Sequence, residues 1–260
     1  MDLASITKAL AGLPIPDIRF FPCTGSTNED ALHWAAEGAR DGSLIIADLQ
    51  TSGRGRQGRK WITRAGSGLA VSFIFRPTQK EIGCIQLFSS LGANAVCQAI
   101  RNQYATEAWV KWPNDVLLNQ KKVGGILAET SWLNEEIEAL VLGIGVNLCS
   151  VSLPEKMTLR YPATCLEEEC QQPIDRLEFL RAVCQALFRL RPRLGSENFL
   201  RTSEELLAFR GEWVRLETGE NKIEEGKLKG INSQGHLILI KNNALEYAYA
   251  MGEIRLLPKP

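Results

Sequence analysis

The sequence predicts an α+β chain in two parts, a larger one over residues 1–210 and a small β-rich one over 211–260. Three observations predict it. Short apolar, strand-like runs alternate with helix-period segments up to about residue 150. From 163 to 209 the helical period takes over. The last fifty or so residues then hold five short strand-like runs separated by turns, the pattern of a small barrel. With 260 residues and 45% hydrophobic content, the chain can bury a sizeable core.

The elements follow in order. Leu3 to Leu13 reads as a short amphipathic helix stopped by Pro14 and Pro16, too short for a helix-turn-helix DNA-binding domain. Ile18 to Phe21 reads as a strand. Ser26 or Thr27, with Glu29 or Asp30 in the first turn, reads as the N-cap of a helix continuing through Ala31 to Gly38. Spare donors at that N-terminus, joined by Ser26, Thr27 and Asn28, suit a polar uncharged ligand head. Ser43 to Asp48 and Gly68 to Phe75 read as strands, and Ile85 to Gln103 as a long helix. Ala108 to Trp112 is a strand stopped by Pro113-Asn114-Asp115. Val116 to Leu118 and Lys122 to Glu129 form a hairpin across Asn119-Gln120-Lys121, and Leu140 to Val146 is a strand ending at Asn147. Helices are expected over 163–170, 174–190 and 197–209. The small part has strands near 214–216, 222–223, 226–230, 236–240 and 245–249, with turns at Glu217-Thr218-Gly219, Asn232 to Gly235 and Asn242-Asn243. Their size is that of an SH3-like barrel.

Charge and cysteine usage narrow the function classes. Thirty basic side chains balance thirty acidic ones, so the overall basic bias of a dedicated nucleic-acid binder is absent. Seven scattered cysteines without framework spacing, and no signal peptide, point to a reducing cytoplasm. Two distant histidines, His33 and His236, disfavour a His-rich metal site, and no apolar run reaches membrane-spanning length.

The chemistry concentrates in Gly53-Arg54-Gly55-Arg56-Gln57-Gly58-Arg59-Lys60-Trp61, with three glycines, four cations and no acid in nine residues. Glycines free the backbone for positive φ and close approach, while arginine forks suit carboxylate or phosphate oxygens. The P-loop pattern is not met. The dinucleotide pattern is met only in its glycines, with arginines in the spacers and Lys60-Trp61 where a small apolar helix start belongs. No serine elbow or Cys–His pair offers a nucleophile. What remains is a cationic loop above strand-end lysines, Lys111 and Lys122, with Asp115 able to hold a divalent cation. Lys111 is unusual within a run as apolar as Ala108 to Trp112. Such a set suits attack of a carboxylate on ATP, where two anions must meet and fixed cations lower the barrier. A closing glycine/arginine loop would shield a mixed anhydride from water.

Together with Ser-Thr-Asn at 26–28, Lys-Trp-Pro-Asn-Asp at 111–115, Lys-Val-Gly-Gly-Ile-Leu at 122–127 and Gly-Ile-Gly-Val-Asn at 143–147, the loop resembles the biotin protein ligase family. The resemblance covers about residues 18–257. It implies a catalytic domain like that of class II aminoacyl-tRNA synthetases, with a central mixed β-sheet, and a C-terminal SH3-like β-barrel. It also implies two steps: biotin and MgATP give biotinyl-5′-AMP, and a lysine of an acceptor takes the biotin. The implied acceptor is the biotin carboxyl carrier domain of acetyl-CoA carboxylase, and a homodimer stays open. Position by position, Ser26, Thr27, Asn28 and Gln50 would meet the ureido ring. Gly53, Arg54, Gly55 and Arg56 would order over the carboxylate and adenylate, with Arg56 retaining the intermediate. Arg59 and Trp61 would serve the nucleotide, Trp61 packing near the adenine. Lys122 would touch both biotin carboxylate and phosphate as the main electrostatic catalyst. Lys111, Asn114 and Asp115 would serve the ATP phosphates and Mg²⁺, and Asn147 the nucleotide.

Two departures stand out. Some members carry an N-terminal DNA-binding domain, for which this sequence has no room, so no DNA partner is expected. Leu257 stands where some members have arginine, which puts a nucleotide contact from the tail in doubt, and Arg255 alternates to the other strand face. Against this reading stand a lipoate-type acyl-protein ligase and a nucleic-acid binder using the basic loop. The first predicts that lipoate outcompetes biotin, the second that binding weakens steeply with salt.

Overall fold

The structure is a computed structural model and describes residues 1–153, 161–218 and 222–257. A seven-stranded sheet forms its centre. In chain order the strands are β1 (Ile18–Phe21), β2 (Ser43–Ala47), β3 (Gly68–Phe75), β4 (Trp109–Lys111), β5 (Asp115–Leu118), β6 (Lys121–Leu133) and β7 (Glu136–Asn147). In space they run β1-β2-β3-β7-β6-β5-β4. β1 and β2 pair in parallel and the other neighbours antiparallel, so the sheet is mixed and the fold α+β, as expected.

Period-two alternation decides which helix covers which face. Ile45, Ile74 and Val141 face one way and pack with Ala31, Trp34 and Ala35 of α2 (Thr27–Ala36). Leu44, Ile46, Phe73 and Phe75 face the other way, toward α4 (Leu87–Tyr104) and α6 (Arg176–Leu190). Because both faces are covered, β3 is buried along its whole length, which explains its unbroken apolar sequence. Short helices α1 (Leu3–Ala9), α3 (Gln79–Ile82), α5 (Leu166–Cys170) and α7 (Glu197–Glu205) complete the larger part.

A second, antiparallel sheet follows, ordered β11-β10-β9-β8-β12, from β8 (Trp213–Glu217), β9 (Ile223–Ile231), β10 (Leu237–Ile240), β11 (Glu246–Tyr249) and β12 (Glu253–Leu256). Its inner residues Val214, Leu216, Leu228, Leu239 and Ile254 belong to the same buried cluster as α4 and α6. Trp112 donates its indole N–H to the Gly235 carbonyl at 3.0 Å, fastening the two sheets at the foot of β4.

Several boundaries differ from the sequence expectation, each for a visible reason. α1 ends at Ala9, followed by Gly12 at φ 82°. Helix 163–170 shortens to α5 because Thr164 N–H donates to the Lys122 carbonyl, extending the sheet instead. Helix 197–209 stops at Glu205, since Leu206 and Ala208 pair with Val110 on β4. The runs at 222–223 and 226–230 are one strand, β9, and the fifth strand is β12. The β6–β7 hairpin reaches out to Leu133 and Glu136, turning through Asn134 and Glu135 at φ 48° and 67°. The first hairpin turns on Asn119 and Gln120 alone, both left-handed, with Lys121 already in β6. Gly219, in the turn expected at 217–219, lies outside the described residues.

Candidate active site

A cavity of about 530 Å³ opens over β6 and β7 beneath the 53–61 loop. Every residue singled out from the sequence lines it except Gly53 and Lys111, which lie just behind the wall. One end is neutral and polar. Ser26 sits at the N-cap of α2, makes no capping hydrogen bond with its side chain, and lines the cavity. Gln50 Oε1 accepts from the Thr27 backbone N–H at 2.8 Å and from its hydroxyl at 3.0 Å, while Gln50 Nε2 reaches Thr63 Oγ1 at 3.2 Å. Ser72, from the middle of β3, lies 2.8 Å from Thr27 Oγ1 and 2.6 Å from Asn28 Oδ1. Asn28 Nδ2 donates to the Leu127 carbonyl and, at 2.7 Å, to Glu129. A Cβ on Gly143 would fall inside the Asn28 carboxamide, so that glycine is what lets Asn28 lie on the sheet.

The floor is a glycine window. Gly125 and Gly145 pair directly across β6 and β7. The Trp61 indole rests on them: a Cβ at 145 would stand 2.5 Å from its Cε2, and one at 125 would stand 3.3 Å from Cζ3. Lys122 Nζ lies 5.8 Å from the centre of the same ring.

The opposite end is cationic. Lys122 Nζ lies 2.5 Å from Asp115 Oδ1, and Lys111 Nζ is 3.8 Å from Asp115 Oδ2 and 3.6 Å from Glu253 Oε1. Lys111 is 1% exposed and also sits 4.5 Å over the Tyr161 ring. Burial pushes its ammonium below the ordinary lysine range, against the raising effect of Asp115 and Glu253. Burial likewise lowers the Arg56 guanidinium pKa, with Arg59's charge adding to it, and raises the Tyr161 phenol. Arg56 Nη1 reaches Asn114 Oδ1 at 3.4 Å, and Asn147 Nδ2 donates to the Thr164 carbonyl.

The loop differs from the sequence expectation in how it uses its glycines. Of its glycines only Gly58 uses positive φ, at 71°, next to Gln57 at 55°. Gly53 is needed for close approach instead, because a Cβ there would strike the Trp61 carbonyl. Nor are the arginines unpaired by acids: Arg54 Nη2 meets Glu129 at 3.0 Å, and Arg59 Nη2 meets Glu253 at 3.1 Å. Gly55 N–H donates to the Arg59 carbonyl at 2.7 Å, closing the loop into a small hairpin. Arg255 pairs with Glu217 and does not line the cavity.

Residues 20–147, which contain nearly all of these groups, match the Biotin/lipoate A/B protein ligase family. A protein of Paracoccus denitrificans named Biotin--[acetyl-CoA-carboxylase] ligase is 34% identical over 224 residues, 83% of this chain and 91% of that protein. The Bifunctional ligase/repressor BirA of Bacillus subtilis is 31% identical over 86% of this chain and 70% of its own length. This chain belongs to the biotin protein ligase family. The biotin protein ligase from Aquifex aeolicus, solved in complex with biotin and ATP, superposes with a TM-score of 0.79 at 29% identity, covering 94% of this chain and 100% of that one.

Four groups in or against this cavity carry no clear signal in the sequence. Ser72 stands inside an apolar strand, and a lone hydroxyl flanked by Val71 and Phe73 was its only signal. Glu129 reads in the sequence only as the end of a hairpin strand. Tyr161 and Glu253 come from distant parts of the chain, and no local pattern announces them.

Proposed function

We propose that the chain activates biotin with ATP to biotinyl-5′-AMP and passes the biotin to a lysine of a biotin carboxyl carrier domain, as of acetyl-CoA carboxylase. One observation carries the reading: a single cavity joins a neutral hydrogen-bonding end, Ser26-Thr27-Asn28-Gln50, to a cationic end lined by Lys122 and Arg56, with Lys111 just behind it. A ureido ring, with its N–H donors and carbonyl acceptor, suits the first end, and a carboxylate beside phosphates suits the second. In the first step a biotin carboxylate oxygen bonds to the α-phosphorus and pyrophosphate leaves. In the second the acceptor amine attacks the anhydride carbonyl, AMP leaves, and the amine loses a proton.

In this reading Lys122 holds the carboxylate and the α-phosphate together, Lys111 and Arg59 take phosphate charge, and Arg56, Arg54, Gly53 and Gly55 cover the anhydride. Asn114, Asn147 and Trp61 frame the nucleotide. Mg²⁺ takes oxygen ligands in octahedral geometry and often travels on phosphates with one or two protein carboxylates. Asp115 and Glu253, which line the cavity on either side of Lys111, fit that use, and among the described residues no cluster of three or more potential ligands forms a separate metal site. Bound there, the ion would neutralise phosphate charge.

The second sheet supports reading residues 211–260 as an SH3-like unit beside a catalytic domain of the class II synthetase type over 1–210. No helix among the described residues is long and apolar enough to cross a membrane. Seven free thiols support a reducing, cytoplasmic setting. Biotin-dependent exchange of labelled pyrophosphate into ATP tests the function. Exchange with biotin supports it, and exchange with lipoate but not biotin would replace it with the lipoate-type reading.

A further inference from the structure

Glu169, on α5, lies outside the cavity and nonetheless touches three segments that build its cationic end. Its Oε1 accepts from the Thr164 hydroxyl at 2.6 Å and from Lys121 Nζ at 3.0 Å. Its Oε2 accepts from Asn119 Nδ2 at 2.5 Å. The carboxylate is only 7% exposed, although Lys121 itself is 48% exposed. Burial pushes the Glu169 carboxyl up, but these three hydrogen bonds outweigh it and hold it below the usual range. A buried anion with every partner in place is a strong tether.

Each tether ends beside a site residue. Lys121 and Lys122 are consecutive in β6, so their side chains point to opposite faces. Holding Lys121 on the Glu169 side fixes the strand's rotation so that Lys122 points into the cavity. Asn119 anchors the left-handed turn from which β6 starts. Thr164 carries the short stretch that pairs in parallel with Lys122: Lys122 N–H donates to the Pro162 carbonyl at 2.7 Å, and Thr164 N–H to the Lys122 carbonyl at 2.9 Å. The Thr164 carbonyl also receives Asn147 Nδ2 at 3.1 Å, and the same stretch presents Tyr161 to Lys111. None of these ties reaches Ser26, Thr27, Asn28 or Gln50.

We propose that Glu169 is a positioning residue for the nucleotide half of the site, clamping the 161–164 stretch to β6 so that Lys122, Asn147 and Tyr161 hold their places. The inference rests on the ATP-dependent ligase reading above. It assigns the clamp chiefly to ATP use and leaves recognition at the neutral end, Ser26-Thr27-Asn28-Gln50, independent of it.

The test compares Glu169→Ala and Glu169→Gln with wild type in biotin-dependent pyrophosphate exchange at varied ATP, and measures biotin binding by calorimetry without nucleotide. For Glu169→Ala, kcat/KM for ATP is expected to fall about tenfold or more, the scale of hydrogen bonds to a charged group. Biotin affinity should fall clearly less, because the neutral end is untouched and only the Lys122 contact is loosened, and Glu169→Gln, which keeps an acceptor oxygen, should recover part of the loss. A folded Glu169→Ala protein with unchanged kcat/KM for ATP would overturn the proposal, as would an equal loss in biotin affinity. Should Glu169→Ala not fold, Lys121→Ala combined with Thr164→Val removes two of the three tethers and is judged by the same two readouts. A wild type without exchange would refute the ligase reading itself, which separates the two failures.

Discussion

Lys122 Nζ and Asp115 Oδ1 lie 2.5 Å apart, so the lysine aimed into the cavity is already engaged by a carboxylate on the neighbouring strand. A ligand carboxylate or phosphate reaching Lys122 therefore adds to a pair, and Asp115 keeps the ammonium oriented meanwhile. Lys122→Ala is expected to lower the exchange rate at saturating biotin and ATP about 10²–10³-fold, the usual loss when one preorganised charge is removed. Asp115→Asn should act mainly through the KM for MgATP. Undiminished exchange by Lys122→Ala would take the lysine out of this role.

Ser72 offers a cleaner separation of the cavity's two ends. Its hydroxyl is buried between Thr27 and Asn28, so Ser72→Ala leaves both short of a partner. The expected result is a loss of about 1–2 kcal/mol in unfolding free energy and about tenfold weaker biotin binding, with KM for ATP little changed. Denaturant unfolding and calorimetry check it.

Gly145→Ala tests the glycine window. The new methyl group would occupy space held by the Trp61 ring, while alanine suits a strand better than glycine. Exchange is expected to fall about as far as in Trp61→Ala, and the double variant should be no worse than either single one. Additive losses would mean that residue 145 acts on something other than Trp61.

The buried Lys111 gives opposite pH trends for activity and stability. Its folded pKa is lowered from the ordinary 10.5, chiefly by burial. Between the lowered value and 10.5 the unfolded chain binds more protons than the folded one, so this group makes stability rise with pH. Over the same window the folded protein loses the ammonium that would meet phosphate, and kcat/KM for ATP should fall. Lys111→Arg, which stays charged, should flatten the alkaline limb. A limb unchanged in Lys111→Arg would assign it elsewhere.

The sequence was most legible where function and local pattern coincide. Ser26, Thr27 and Asn28 open a helix, Lys111 interrupts an apolar strand, and the 53–61 run has no core pattern to hide in. Strands such as β2 and β3 were readable as short unbroken apolar runs, whereas the mixed sheet was only what the family resemblance implied. What stayed hidden depends on long-range pairing. Glu129 and Glu253 offset Arg54 and Arg59 from far along the chain, so a loop that reads as bare cations is held by acids. Thr164 reads as helix but is recruited by the Lys122 backbone. Those choices are made by strand register and packing, which no short window contains.

Glu253 belongs to the second sheet, yet its carboxylate touches Arg59 and Lys111, which serve the cavity. An anion that draws either cation toward itself must compete with this edge of β12. Reciprocity then requires that whatever tightens β12 against the loop weakens the anion's hold by the same factor, and conversely. An anion that takes either cation without a metal should therefore loosen this seam, and amide exchange along β12 is expected to speed up as inorganic phosphate fills the cavity, while a ligand confined to the neutral end should leave it unchanged.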